Sequence, residues 1–378
     1  MNQSKSILCQ EVPVLILNII LGAGLLNLPS LLARTAGPDG LLALIATVGV
    51  NLIGVFLICL LVLRFPDQSI ANYSPKLLGR FCGFLFNLTF AGYLLFAAAI
   101  VLREFSDTTN VLMLLRTPLE VIMLTMLLAA SLLARNGLPP IARASQIIVL
   151  LLFFPLLITP LIWAIFDWGA LLPVFQVGRE AFLEAMTTSV FTLAGFELLL
   201  IISPYVLDKR RIIPASILSV LLAGTVAIVI VLVTFGTLTV GQVAKMNDSV
   251  FEVVKYMPVP VLILERVDLI FFSIWIAAAY STVVILLYMV SQQLAETFTI
   301  SSGKNFVWPL CVVIFFVARI PANQQDSKSF IQIVNYLWIA LVYGAIPFLL
   351  VLSIIRNRST AAKRTILGKS KRRKKTRN

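Results

Sequence analysis

Long apolar runs alternate along this chain with short polar stretches that hold nearly all of its Lys, Arg, Asp and Glu. The hydrocarbon core of a bilayer needs about 20 apolar residues per helix. Residues 12–33, 41–63, 81–102 and 144–166 supply that length with no charged side chain inside. Residues 185–207 supply it with one, Glu197, and residues 212–238, 269–294 and 330–355 follow. Two runs are weaker: 117–134 carries Glu120 near one end, and 306–320 is short and includes Arg319. The pattern therefore predicts an all-α membrane protein with ten spans in residues 1–355, and a basic tail over 356–378.

Charge placement tests the count. With the amino terminus cytoplasmic, the inside segments hold 21 Lys and Arg, 11 of them in the tail, and the outside segments hold 9. That asymmetry agrees with the positive-inside rule and puts both termini in the cytoplasm. Omitting the short ninth span would put the polybasic tail outside. Ten spans divide five and five, and an odd number per half inserts the second half upside down. The expected fold is a 5+5 inverted repeat.

Two of the spans carry a glycine break at corresponding places, helices 1 and 6. The first reads Leu21-Gly22-Ala23-Gly24-Leu25-Leu26-Asn27-Leu28-Pro29, and the second Thr192-Leu193-Ala194-Gly195-Phe196-Glu197. Glycine costs about 1 kcal/mol relative to alanine inside a helix. Paired interruptions in the two halves of a membrane protein point to a ligand site at the breaks. Backbone amides at Gly22, Ala23 and Gly24 suit an anionic group, because a half-helix start carries partial positive charge and spare donors. Pro29 is also able simply to kink the helix.

Glu197 is the most informative single residue. A carboxylate near a helix centre costs at least about 2.5 kcal/mol on insertion, so it should face protein or water. Two roles remain open for it: balancing a ligand ammonium or carrying a proton, or capping the amides freed at Ala194-Gly195. A free amino acid offers both groups such a site wants. Thr192 and Phe196 lie at the same level. Helix 3 adds Asn87, Thr89 and Tyr93, and helix 8 adds Trp275, Tyr280, Ser281 and Thr282. Each is either a pocket-lining group or an interhelical contact.

Composition narrows the function. Hydrophobic residues make up 60% of the 378 and charged ones 12%, against averages of about 45–50% and about 25% in globular proteins. Of the formal charge of +13, the tail supplies +11, so little of it lies over the rest of the surface. Directly after a membrane helix, that run fits topology and anionic lipid better than nucleic acid. With no His, and with Cys9, Cys59, Cys82 and Cys311 scattered, no metal or cofactor is expected. There is no G-x-x-x-x-G-K motif and no nucleophile–base set, so neither ATP-driven transport nor enzyme catalysis is expected.

The chain resembles the B subunits of bacterial spore-germination receptors, a permease-like family within the amino acid–polyamine–cation superfamily. The likeness runs over nearly the full length. It includes the first break, Gly137-Leu138-Pro139-Pro140-Ile141-Ala142-Arg143, and Leu172-Pro173-Val174-Phe175. It continues through Ala194-Gly195-Phe196-Glu197 and Glu265-Arg266-Val267-Asp268-Leu269-Ile270-Phe271. The resemblance implies a germinant-sensing subunit of the spore inner membrane. Such a subunit binds a small nutrient such as an amino acid and assembles with a larger A subunit and a lipoprotein C subunit. The basic tail departs from the family pattern. A proton- or cation-coupled amino-acid symporter is the alternative, since its pocket would look the same.

Overall fold

The structure is a computed structural model, and it describes residues 6–22, 24–153, 166–255, 267–300 and 302–356. Ala23, the Met257–Pro260 turn, Glu265, Arg266, the far part of span 5 and the tail beyond Arg356 lie outside the described residues.

Span 1 is two helices, Glu11–Gly22 and Leu28–Ala36; spans 2, 3 and 4 are Gly40–Arg64, Arg80–Leu112 and Leu119–Ala134. Span 5 opens as Leu138–Leu152. Span 6 is Arg179–Val190, a 3-10 turn Phe191–Leu193, and a second helical piece from Phe196 to Tyr205, bent by 49° from the first. Spans 7, 8 and 9 are Ile212–Thr237, Val267–Thr297 and Lys304–Ala318. Span 10 is Gln324–Ile339, continued through a π-helical turn, Ala340–Ala345, to residue 356. Among the described residues each of the ten expected spans is represented by helix, span 5 by its first part alone, and both expected breaks are real.

The boundaries differ where charge or proline marks a helix end in the sequence but not in space. Span 3 runs ten residues past the expected 102, through Arg103, Glu104 and Asp107. A helix can leave the hydrocarbon without stopping, and Arg103 pairs with Asp107 one turn on at 2.8 Å. Span 5 begins at Leu138, ahead of the expected 144, with Pro139 in the first turn where a missing N–H costs nothing. The connection between spans 2 and 3 holds an extra helix, Ile70–Leu78. The long connection after span 7 holds two short ones, Val240–Val243 and Ser249–Lys255.

Helix contacts reveal the repeat. Span 1 packs on span 7 as span 6 packs on span 2. Span 4 packs on span 8 as span 9 does on span 3, and span 5 on span 8 as span 10 on span 3. Spans 3 and 8 pack together, as do spans 2 and 7. Exchanging each span for the one five places away maps this set onto itself. The two halves are thus equivalent and, with five spans each, inverted. Phe81, Leu150, Phe316 and Phe348 are exposed on the outside of the bundle. In a multi-pass membrane protein that apolar exterior is its lipid-facing surface.

Gly22 shows how closely span 1 meets span 8. A Cβ there would lie 2.3 Å from Thr282 Oγ1 and 2.6 Å from the Ala278 carbonyl oxygen. Gly22→Val should therefore lower stability by about 1–3 kcal/mol through overpacking. Gly49→Ala, with no atom near the added methyl, should stay within about 0.5 kcal/mol. Unfolding of the purified variants in detergent reads both, and equal stability of the two would refute the close approach.

Candidate functional site

The first break is shaped by three residues. Gly22 ends the inner half-helix, and Gly24 takes φ +68°, a conformation glycine adopts without strain. Asn27 then precedes the outer half-helix, which starts at Leu28 with Pro29 in its first turn. The amides of the outer half-helix therefore begin at Leu28, five or so residues later than the sequence suggested, because Pro29 sets the start. Asn27 does not cap the helix with its own side chain. Oriented to suit its neighbours, its amide nitrogen donates to Asp248 Oδ1 at 3.0 Å and to the Asn247 carbonyl at 2.9 Å.

The second break faces the first. Ala194 is extended and Gly195 has φ +136°. A Cβ on Gly195 would lie 2.7 Å from Ile19 Cγ2, and one on Gly24 would touch Thr192 Cγ2 at 3.4 Å. Glu197, 1% exposed, uses both oxygens: Oε2 accepts from the Gly195 amide at 2.8 Å, and Oε1 from the Tyr93 hydroxyl at 2.5 Å. The carboxylate thus caps the break and ties span 6 to span 3. On the other side of the break, Asn51 Nδ2 donates to the Val190 carbonyl at 3.2 Å. Tyr343, in the π-helical turn, donates to Asn51 Oδ1 at 2.9 Å.

A cavity of about 670 Å³ runs from these breaks to one end of the bundle. Along span 3 its wall is Tyr93, Ala97, Ile100, Glu104, Asp107, Thr108 and Val111, one helical face. At 1.5 Å per residue that stripe is about 27 Å long. The floor is Ile19, Gly24, Thr192, Gly195, Glu197 and Thr282; a belt of Leu28, Leu31, Val101, Phe191 and Ile331 lies in the wall. Asn27, Arg34, Glu184, Asp248, Glu252 and Lys328 line it further along the same elements. Arg34, Glu184 and Lys328 are solvent-exposed, so the cavity opens there.

The opposite end is sealed. Strands β1 (Ile7–Leu8) and β2 (Val206–Leu207) pair in parallel and join the start of span 1 to the end of span 6. Glu296 at the end of span 8 accepts from Ser69 Oγ, Asn72 Nδ2 (2.8 Å), Tyr205 OH (3.1 Å) and Gln292 Nε2 (3.1 Å). A single carboxylate thus binds three elements together.

The structure brings Gly24, Thr192, Gly195, Glu197 and Thr282 to the cavity floor and Tyr93 to the wall beside them, and it places the other expected residues elsewhere, Ala23 apart, which lies outside the described residues. Ser281 accepts from Asn18 Nδ2 at 2.7 Å, and Gly22 serves helix contact. Phe196 packs edge-on against Trp338 with ring centroids 5.8 Å apart. Asn87 joins span 3 to the Ile70–Leu78 helix, accepting from Ser74 Oγ at 2.6 Å and donating to the Ala71 carbonyl at 3.0 Å. Thr89 bonds its own helix at Leu85, Tyr280 donates to the Ala129 carbonyl, and Trp275 stacks on Phe105. Residues not singled out from the sequence, Glu104, Asp107, Asp248 and Asn335, also line the cavity. The spacing 93, 97, 100, 104, 108, 111 was the available signal for the span 3 members.

Comparison with known proteins agrees with this architecture. Residues 6–327 match the profile of a family described as spore germination protein. The chain is 24% identical to spore germination protein YndE of Bacillus subtilis (strain 168) over 352 residues, 92% of this chain and 96% of that relative. It is 24% identical to spore germination protein A2 of the same organism over 356 residues, 92% and 95% of the two chains. Among solved structures, MhsT in complex with L-phenylalanine superposes with a TM-score of 0.61 at 17% identity, covering 91% of this chain and 98% of that one. At that identity the likeness shows the fold alone: a ten-helix inverted repeat with helices 1 and 6 broken.

The Tyr93–Glu197 bond is a charge-assisted pair in a buried setting, of the kind worth about 1.5–3 kcal/mol. A double-mutant cycle of Tyr93→Phe and Glu197→Gln, read by unfolding in detergent, should return a coupling of about 1–3 kcal/mol. Additive effects would show that the two side chains do not act as a pair.

Proposed function

We propose that this chain, which belongs to the spore germination protein family, is the nutrient-sensing membrane subunit of a spore germination receptor. It binds a small molecule such as an amino acid at the broken helices and signals through a larger A subunit and a lipoprotein C subunit. The observation that carries this reading is the cavity that reaches both breaks and ends on the Tyr93–Glu197 pair. That floor offers a carboxylate oxygen, hydroxyls on Thr192 and Thr282, and the backbone of Gly24 and Gly195. A ligand carrying both an ammonium and a carboxylate can use donors and acceptors alike.

Sensing needs only that ligand favour one conformation over another. The chain is open at one end and sealed at the other, one of the two states such a switch requires. Moving an equilibrium from 1:99 to 99:1 takes about 5.5 kcal/mol of differential binding and no ion gradient. A symporter would further require the Glu296 seal to open while the mouth closes. Purified protein should thus gain thermal stability from at least one amino acid in a panel. In liposomes under a proton or sodium gradient it should accumulate none of them. Uphill uptake would replace the sensor with the symporter, and no stabilisation by any amino acid would remove the ligand class.

In this reading the protein lies in the spore inner membrane with both termini cytoplasmic, residues 1–355 forming the membrane domain. The tail from Arg356 fixes topology and touches anionic lipid. The sealed end carries Arg64, Lys76, Arg80, Arg135 and Arg143, which supports that orientation. Single cysteines in the tail and in the 239–255 connection, on a background without native cysteines, should label from opposite sides of the membrane. Labelling of both from one side would overturn the topology.

A further inference from the structure

We propose that the cavity is built for a ligand of net positive charge, a cationic amino acid or similar amine, and discriminates against neutral and anionic ones. This deepens the sensor reading and rests on the same cavity. Two independent observations carry it: the balance of charge along the wall, and an unsatisfied acceptor in it.

Six carboxylates line the cavity against two basic side chains, Arg34 and Lys328. Arg34 is committed elsewhere: it donates to the carbonyls of Ala244 and Met246 and to Asn247 Oδ1. Asp107 is paired with Arg103 and Glu252 with Lys255. Glu104, Glu184, Asp248 and Glu197 have no basic partner within salt-bridge distance among the described residues. Low-dielectric walls focus such a field on whatever enters. Asp248 shows the strain of the arrangement: burial first, then the charges of Glu252 and Asp107, push its carboxyl above its ordinary value, against a hydrogen bond from Thr108. A cation in the cavity relieves that repulsion.

The second observation is Asn335, which lines the same cavity and is 3% exposed. Its Nδ2 donates to the Thr187 carbonyl at 2.6 Å, and its Oδ1 is buried with no hydrogen-bond partner among the described residues. A buried acceptor left empty costs free energy until a donor arrives. Ammonium and guanidinium groups are donors only, which matches an acceptor-rich wall.

The test uses the full chain in detergent, with lysine, arginine, alanine, leucine and glutamate titrated at constant ionic strength and followed by thermal unfolding. Lysine or arginine should bind about tenfold or more tightly than the neutral amino acids, the yield of one charge-assisted hydrogen bond. Glu104→Gln and Asp248→Asn should each cut that preference. Should those buried variants fail to fold, Lys328→Glu, at an exposed position, should raise the preference instead. Neutral amino acids binding as well as lysine would overturn this inference and leave the sensor reading standing. Stabilisation by potassium chloride equal to that by lysine would overturn it in favour of an inorganic cation. Absence of binding by every class would remove both readings.

Discussion

Hydrocarbon offers no hydrogen-bond partner to a backbone amide, so a helix can break inside a bilayer only where other parts of the protein replace the lost bonds. Everything distinctive about this chain follows from meeting that demand twice. At the second break Glu197 takes the Gly195 amide and Asn51 takes the Val190 carbonyl. At the first, Thr282 donates to the Asn18 carbonyl at 3.2 Å. None of these donors or acceptors is free to move alone. Glu197 is held by Tyr93 of span 3, Asn51 by Tyr343 of span 10, and Asn18 by Ser281 of span 8. The breaks are therefore supported by the scaffold that surrounds them, and a change in one is transmitted to the spans that satisfy it.

The same demand shapes the cavity. Helical pieces that do not continue in line leave space between their ends, and the face of span 3 from Tyr93 to Val111 closes one side of it. At the sealed end the chain invests in two ties, the β1–β2 pairing and the Glu296 cluster. Both join pieces of the broken spans, or their neighbours, to the rest of the bundle. Opening that end means giving up several hydrogen bonds to one carboxylate together. A lesser device holds the loop before span 6: Asp39 accepts from the amides of Phe175, Gln176 and Val177 at 2.5–2.9 Å. That loop is thereby tied to the turn before span 2.

The bundle exterior carries Phe81, Leu150 and Phe316. The interior carries polar pairs such as Thr47 with Ser189 at 3.0 Å and Ser30 with Ser249 at 2.9 Å. Small residues set how near the helices come, with Gly22 against Ala278 and Gly224 against Val48. The result is a close-packed scaffold around a long hollow whose wall is largely apolar, with polar groups at its floor and mouth.

The ten spans, the paired breaks and the importance of Glu197 were legible in the linear pattern. Apolar run length, glycine and an intramembrane carboxylate each carry a free-energy cost that no neighbour needs to be known to assess. The cap on Gly195 was also within reach, since donor and acceptor are two residues apart. What the linear pattern did not hold was everything that depends on neighbours distant in the chain. It offered Asn87 and Tyr93 as equals, yet one joins two helices near the sealed end and the other meets a carboxylate across the cavity. It ended span 3 at its charges, although Glu104 and Asp107 are part of the wall because the helix continues past the hydrocarbon. Asn335 and Asp248 gain their significance only from spans 6 and 3 opposite them. The sequence determined which helices form and where they must break; tertiary packing decided which faces meet, because a side chain's role in a bilayer is set by the partner that satisfies it.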